Sequence, residues 1–224
     1  MLRRRPEANG FNEHEQIETV DGEPIDGDAS VIECTNVEGE RVRIKRERDS
    51  RFDVFQIGRQ LYDAKIDFLI NESENNNSEI SRFAFRIQVN RETFEARIYA
   101  AGYDSGNKIF LGKKAKQWRM DDGTVDGLST NGLWVLFNSN DVVEGEMTRE
   151  AQMEKWREVS VTGKLYPCID NRHNLNQHDR FANEENVLKD FSIIDVKGMT
   201  LVWRCRAGEL EFCCVNLQQL LNLF

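Results

Sequence analysis

Short runs of β-branched and aromatic residues, separated by turn residues, repeat along this chain from residue 31 onward. Apolar and polar positions alternate in 41–44 (RVRI) and 83–89 (FAFRIQV), which is the period of a strand with one buried face. We predict strands at 31–34, 41–45, 53–57, 66–70, 83–89, 94–99, 108–111, 133–137, 156–161, 192–196 and 201–204. Because no helical period separates these runs, the sequence predicts an all-β protein, an antiparallel sandwich of about eleven strands.

Turn signals support this interpretation. The pairs Glu38-Gly39, Asp122-Gly123, Asp126-Gly127 and Lys197-Gly198 each place glycine after a polar residue, as hairpin turns require. Two polar segments, 112–128 and 138–155, are predicted insertions into the sandwich. A third polar segment, 171–186, is a predicted loop.

The two ends of the chain depart from the strand pattern. Residues 11–30 contain seven acidic residues and no Lys or Arg, which is typical of a solvated arm or loop. An arm folded over a basic pocket is the alternative. Residues 209–224 are apolar, with one face of a short C-terminal helix formed by Leu217, Leu220, Leu221 and Phe224. This predicted helix would either dock on the sandwich or bind a partner.

Composition narrows the function classes. The net charge of −9 over 224 residues argues against binding to nucleic acid or an anionic membrane. The sequence has no apolar run of about 18 residues, and its basic start lacks the apolar segment of a secretory signal. Its five cysteines are unpatterned, which indicates a reducing compartment and hence the cytoplasm. We expect no metal and no cofactor.

Three short polar groups stand at the ends of predicted strands, where a β-domain exposes its loops. They are Gly58-Arg59, Ser81-Arg82 and Thr130-Asn131-Gly132. Guanidinium groups can hold two phosphate oxygens at once, and hydroxyl and amide groups add further hydrogen bonds. Singly each group is a common turn or strand end, since Asn-Gly alone usually marks only a turn. Together they predict an anion pocket on a β-domain.

The order of these groups resembles the forkhead-associated (FHA) pattern in 55–59 (FQIGR), 66–68 (IDF) and 80–84 (ISRFA). More narrowly, the chain resembles the Pellino family. The motifs that carry this resemblance are 5–10 (RPEANG), 96–105 (ARIYAAGYDS), 107–112 (NKIFLG), 126–132 (DGLSTNG) and 200–204 (TLVWR). The resemblance implies a Pellino-type FHA sandwich over 1–208, with a wing appendage built from the insertions and with 209–224 as a tail.

The resemblance also implies a ligand. Pellino proteins recognise phosphothreonine on interleukin-1-receptor-associated kinases and on the insect kinase Pelle. Carried over by matching motif, the phosphate would be bound by Arg59, Ser81, Arg82 and Thr130, and the peptide backbone by Asn131. Most FHA domains have a structural histidine where this chain has Ala84, a departure that agrees with the Pellino variant.

The RING-like ligase domain of the family has no counterpart in the cysteine pattern. Two zinc ions would need about eight Cys and His ligands, and the chain has five Cys and three His, scattered along it. The chain therefore resembles a RING-less viral Pellino homologue acting in a host cytoplasm, and we predict that it is not an enzyme.

The leading hypothesis is that the chain modulates or inhibits Toll/interleukin-1-receptor signalling by holding phosphorylated kinases. Other hypotheses remain open at this point. The chain could instead be a truncated ubiquitin-ligase component acting through a partner's RING, or a scaffold that binds other pathway proteins through its wing. A hydrolase built on Cys168 and His173 has no supporting motif.

Overall fold

The computed structural model describes residues 7–10, 17–19, 30–35, 41–46, 49–59, 66–70, 80–103, 109, 115–120, 125–137, 155–206 and 209–214. These residues form sixteen strands and two short 3₁₀ helices. No helix in these ranges is long and apolar enough to cross a membrane.

The strands are short and follow one another closely along the chain. In order they are β1 (Ile17–Thr19), β2 (Ser30–Thr35), β3 (Arg41–Arg46), β4 (Phe52–Gly58), β5 (Phe68–Leu69), β6 (Phe85–Asn90), β7 (Ala96–Ala100), β8 (Lys116–Arg119), β9 (Val125–Leu128), β10 (Trp134–Leu136), β11 (Arg157–Val159), β12 (Leu165–Pro167), β13 (Val187–Leu188), β14 (Ile193–Val196), β15 (Met199–Arg206) and β16 (Glu209–Cys214). The 3₁₀ helices span Arg172–Asn174 and Gln177–Asp179.

Two large sheets make the sandwich. One has the order β13-β7-β6-β4-β5, and the other has the order β12-β11-β10-β14-β15-β16. Every neighbouring pair in them is antiparallel except β4 and β5, which run parallel. A three-stranded sheet β1-β3-β2 and a two-stranded sheet β8-β9 complete the described strands.

The core lies between the two large sheets, and the alternation in the sequence decides which side chains enter it. In β6 the side chains of Phe85, Ile87 and Val89 point into one buried cluster. Val135 and Ile194 enter the same cluster from β10 and β14. Burying such side chains stabilises the fold by about 1.5–3 kcal/mol each, so the period-two pattern fixes both the register and the facing of the sheets.

The outer face of β6 carries a buried guanidinium. The Arg86 side chain is 1% exposed, and it donates hydrogen bonds to the carbonyl oxygens of Ala100 (2.8 Å), Ala101 (3.2 Å) and Val161 (3.0 Å). Its guanidinium carbon lies 4.9 Å from the ring centre of Tyr99 and 5.0 Å from that of Tyr103. One residue therefore links β6 to the chain that leaves β7 and to the chain that leaves β11.

The N-terminal segment completes the edge of β4 that β5 leaves open. The side chain of Asn9 donates to the carbonyl of Val54 at 3.0 Å and accepts from its amide at 2.8 Å. The amide of Gly10 donates to the carbonyl of Phe52 at 2.9 Å. One side chain here supplies the pair of bonds that a neighbouring strand would supply.

The prediction of an all-β antiparallel sandwich is confirmed, with more strands than expected. Ten of the predicted strands overlap described strands. The eleventh, at 108–111, is described only at Ile109, which bridges to Tyr103. The extra strands include β12 and β13, each of three residues or fewer. Segments that short carry too few positions for a period of two to be detected.

Three local expectations were wrong. Asp126-Gly127 is not a turn but part of β9, where a side chain on Gly127 would lie 2.6 Å from the carbonyl oxygen of Lys116. The predicted C-terminal helix does not begin at 209, because β16 occupies Glu209–Cys214 and pairs with β15. The predicted acidic arm contains a strand, β1, paired with β3. Residues 11–16, 20–29, 138–154 and 215–224 lie outside the described residues.

Replacing Arg86 with leucine should destabilise the fold strongly. The three carbonyl oxygens would lose their donor inside the protein, and an unsatisfied buried group costs roughly 1–3 kcal/mol. We expect the free energy of unfolding to fall by about 3 kcal/mol, measured by urea denaturation. Arg51→Ala, which removes an exposed arginine beside Asp49, is the control and should change little. Equal stability of the two variants would contradict this account of Arg86.

Candidate functional site

The first two predicted groups meet because β4 ends against the chain that enters β6. A side chain on Gly58 would place its Cβ 2.0 Å from the carbonyl oxygen of Arg82, so only glycine permits this approach. The amide of Arg59 donates to the carbonyl oxygens of Ser81 (3.3 Å) and Arg82 (3.1 Å). Two loops that are separated in sequence are thereby held backbone to backbone.

This backbone contact joins two loops that each carry an arginine. Arg59 and Arg82 are both exposed. The Nε atom of Arg59 donates to the carbonyl oxygen of Ile80 at 2.9 Å, which ties the side chain to the neighbouring loop. The chain as a whole has a net charge of −9, so two exposed arginines on adjoining loops add positive charge locally, and a guanidinium group can hold two oxygens of an anion by forked hydrogen bonds.

The third predicted group is a tight turn between β9 and β10. The amide of Gly132 donates to the carbonyl oxygen of Ser129 at 3.1 Å, and Gly132 adopts a φ of +78°. At the tip of this turn Thr130 is exposed and Asn131 is half-buried. The glycine closes the turn in a conformation that other residues adopt only at a cost.

A side-chain hydrogen bond joins the turn to the arginine-bearing loops. The Nδ2 atom of Asn131 donates to the hydroxyl oxygen of Ser81 at 3.1 Å. Because that hydroxyl oxygen accepts from Asn131, its own hydrogen can still be donated to a ligand. The structure thus brings Arg59, Ser81, Arg82 and Asn131 into one group, and Thr130 is next to it in the turn.

Sequence reasoning missed two charged residues that lie beneath this turn. Glu158 in β11 is buried, and Arg172 of the first 3₁₀ helix pairs with its carboxylate. Burial raises the pKa of Glu158, while the charge and hydrogen bonds of Arg172 oppose that shift. An acidic residue in a polar-apolar strand pattern is typical of an exposed position, so the sequence gives no signal of this pair.

The alternative of a hydrolase finds no support in the local chemistry. Cys168 is 5% exposed, and burial raises the pKa of its thiol. A raised pKa disfavours the thiolate, which is the reactive form. His173 is exposed. The candidate site therefore offers hydrogen-bond donors and positive charge rather than a reactive thiolate.

Comparison with known proteins decides the family. The family model for the Pellino FHA domain matches residues 1–219. This chain belongs to the Pellino FHA domain family. It is 37% identical over 224 residues to mouse E3 ubiquitin-protein ligase pellino homolog 3, covering 94% of this chain and 49% of that protein. The predicted family resemblance is confirmed.

Two further Pellino relatives agree. Human E3 ubiquitin-protein ligase pellino homolog 2 is 36% identical over 226 residues, covering 92% of this chain and 51% of the relative. The Drosophila melanogaster protein pellino is 34% identical over 221 residues, covering 93% of this chain and 51% of the relative. The chain thus spans about half the length of these curated relatives.

The Pellino relatives correct one prediction. We expected that the protein is not an enzyme, because its Cys and His residues form no zinc pattern. The mouse and human relatives are named E3 ubiquitin-protein ligases, which are enzymes. The prediction is therefore wrong for the family to which the chain belongs, of which this chain covers the FHA part.

Replacing Gly58 with alanine tests whether its missing side chain lets the end of β4 approach the backbone at Arg82. In Gly58→Ala the new methyl group must displace the backbone at Arg82, so we expect a loss of about 2 kcal/mol in the free energy of unfolding, measured by urea denaturation. The NMR chemical shifts of the amides of residues 81–83 should change.

Gly198→Ala is the matched control: Gly198 has a φ of +84° but nothing within 4 Å of its Cβ position. It should cost about 1 kcal/mol and leave 81–83 unshifted. Identical spectra at 81–83 in both variants would contradict the close approach.

Proposed function

We propose that this chain binds peptides containing phosphothreonine at the end of the sandwich formed by Arg59, Ser81, Arg82, Thr130 and Asn131. The observation that carries the proposal is the hydrogen bond from Asn131 to Ser81. It joins the hydroxyl- and amide-bearing turn to two exposed arginines. A phosphate monoester has nearly two negative charges and three acceptor oxygens, and the grouped donors match both features.

The proposed role of each residue is the one that the family resemblance implies. Arg59 and Arg82 are exposed and supply positive charge. The Ser81 and Thr130 hydroxyls donate to phosphate oxygens, and Asn131 binds the peptide backbone. Charge-assisted hydrogen bonds contribute about 1.5–3 kcal/mol each, so the phosphate is the main anchor and the unphosphorylated peptide should bind far more weakly.

The proposed partners are phosphorylated kinases of the Pelle and interleukin-1-receptor-associated type. By holding such a kinase in the cytoplasm, the chain would modulate Toll/interleukin-1-receptor signalling. The support is the resemblance of the site motifs to the Pellino pattern and the family match over residues 1–219.

A second function is favoured by the names of the relatives, which are E3 ubiquitin-protein ligases. We infer that the FHA part presented by this chain recognises the phosphorylated protein that a Pellino ligase ubiquitinates. In a reconstituted ubiquitination reaction, excess chain should compete with a full-length Pellino ligase for its phosphorylated substrate and slow ubiquitin transfer. Unchanged transfer at concentrations that saturate phosphopeptide binding would contradict shared recognition.

Fluorescence anisotropy tests the primary proposal. Wild type should bind a fluorescent phosphothreonine peptide derived from such a kinase, and binding of the unphosphorylated peptide should be at least about a hundredfold weaker, the loss of roughly two charge-assisted bonds. Arg59→Ala should weaken phosphopeptide binding by about tenfold or more.

The matched control is Arg51→Ala, which removes the same charge at the other end of β4. The two arginines are eight positions apart, roughly 26 Å along a strand. A general electrostatic effect would weaken binding equally in both variants, whereas a phosphate site predicts a loss only in Arg59→Ala. Equal affinity for the phosphorylated and unphosphorylated peptides would refute the proposal outright.

A further inference from the structure

The Ser129–Gly132 turn carries two of the proposed ligand-binding residues, yet one backbone hydrogen bond closes it. Such a turn samples several conformations unless other groups hold it. Ordering a side chain or a loop at the moment of binding subtracts from affinity. The affinity of the candidate site therefore depends on how rigidly the turn is held before a ligand binds.

Arg172 contacts this turn from a distant part of the sequence. Its Nη1 atom donates to the carbonyl oxygen of Thr130 at 3.0 Å, and its Nη2 atom donates to that of Ser129 at 2.7 Å. Its Nε atom donates to the Oε2 atom of Glu158 at 2.9 Å. All three guanidinium nitrogens have protein acceptors, so this arginine is directed at the backbone of the turn.

Glu158 gives that guanidinium a fixed direction. Its side chain is fully buried, and β11 places it opposite Trp134 at the start of β10. Both carboxylate oxygens accept from Arg172, which makes the forked pairing that sets the plane of a guanidinium. The fork turns the remaining hydrogen atoms towards the two carbonyl oxygens.

The segment that carries Arg172 is ordered by its own contacts. Leu175, which directly follows the first 3₁₀ helix, is 2% exposed and packs with Leu128 and Tyr166. The second 3₁₀ helix begins with a capping box between Asn176 and Asp179. The arginine thus projects from an anchored backbone.

A stabilising role alone explains this arrangement poorly. Burying a carboxylate is costly, and a buried ion pair often stabilises a fold no better than apolar side chains of similar size. What the pair supplies is direction: two carbonyl oxygens of one turn are held at fixed positions. That is useful where the side chains of the same turn must meet a ligand.

We propose that Arg172, oriented by Glu158, is a positioning residue that fixes the Ser129–Gly132 turn, so that Thr130 and Asn131 are in place before a phosphopeptide binds. This inference rests on the proposed function. Arg172 itself does not contact the ligand. Its removal should loosen the turn, and binding should weaken because the turn must then be ordered by the ligand.

The first experiment measures phosphothreonine-peptide affinity by anisotropy. Arg172→Ala should weaken binding by about tenfold. Arg172→Lys should restore it only in part, since one ammonium group cannot form the fork and reach both carbonyl oxygens. Full affinity in Arg172→Ala, or full rescue by lysine, would overturn the proposal. Arg157→Ala, which removes a neighbouring arginine paired with Glu184, is the control and should bind normally.

A mutant cycle between Arg172 and the two turn residues separates positioning from simple destabilisation. If Arg172 acts through the turn, Arg172→Ala should cost little further affinity in a protein that already carries Asn131→Ala and Thr130→Ala. Undiminished, additive losses would mean that Arg172 acts elsewhere and would overturn the proposal.

Backbone NMR distinguishes failure of this inference from failure of the proposed function. Without any ligand, ¹⁵N relaxation in Arg172→Ala should show lower order at the amides of Thr130 and Asn131 than in wild type. Unchanged order at both amides would overturn the positioning role. Absence of phosphopeptide binding by wild type, with loosened amides in the variant, would instead overturn the proposed function and leave the structural role of Arg172 standing.

Discussion

The buried guanidinium of Arg86 is the interaction that joins the chain leaving β7 to the chain leaving β11 in the other large sheet. It joins three chain segments by donating to the carbonyl oxygens of Ala100, Ala101 and Val161. Those carbonyls belong to the segments that leave β7 and β11, which lie in different sheets. An apolar side chain could fill the same space but could not satisfy these acceptors. A polar contact therefore links the two sheets near the end of β4, where Arg86 is paired with Gln56, two positions before Gly58.

The same end is built by steric fit as well as by charge. Gly58 lets the end of β4 touch the backbone at Arg82, and this contact fixes how close Arg59 comes to the second arginine. The backbone contact, rather than attraction between side chains, holds the two arginine-bearing loops together. Because both arginines are exposed, the positive charge of these loops lies at the surface, where it can meet an anion.

Sequence reasoning predicted ten of the described strands and proposed the exposed members of the candidate site, since both leave local patterns. The alternation in 83–89 predicts β6 directly, and Lys197-Gly198 marks the hairpin between β14 and β15, where both residues have positive φ. Arg59 and Arg82 follow from strand ends and from family motifs. These patterns report only on the conformation of a few consecutive residues.

The missed features depend on contacts between distant residues. Asp126-Gly127 has the composition of a turn, but Asp126 is buried in β9, where its carboxylate accepts from the amides of Gly127 (2.8 Å) and Thr162 (3.0 Å). The link from Glu158 to Arg172 joins a strand to a 3₁₀ helix. No period or spacing in a single sequence encodes such partners, because they are chosen by the folded arrangement of the sheets.

Three buried ionisable side chains play a similar structural role in this protein. Arg86, Asp126 and Glu158 are each nearly or fully inaccessible, and each binds backbone groups or a side chain that does so. Apolar side chains at these positions would avoid the desolvation cost but would leave the loops free to choose among conformations. Hydrogen bonds are directional, so each buried charge selects one loop conformation. A site assembled from three separate loops needs that selection more than it needs additional stability.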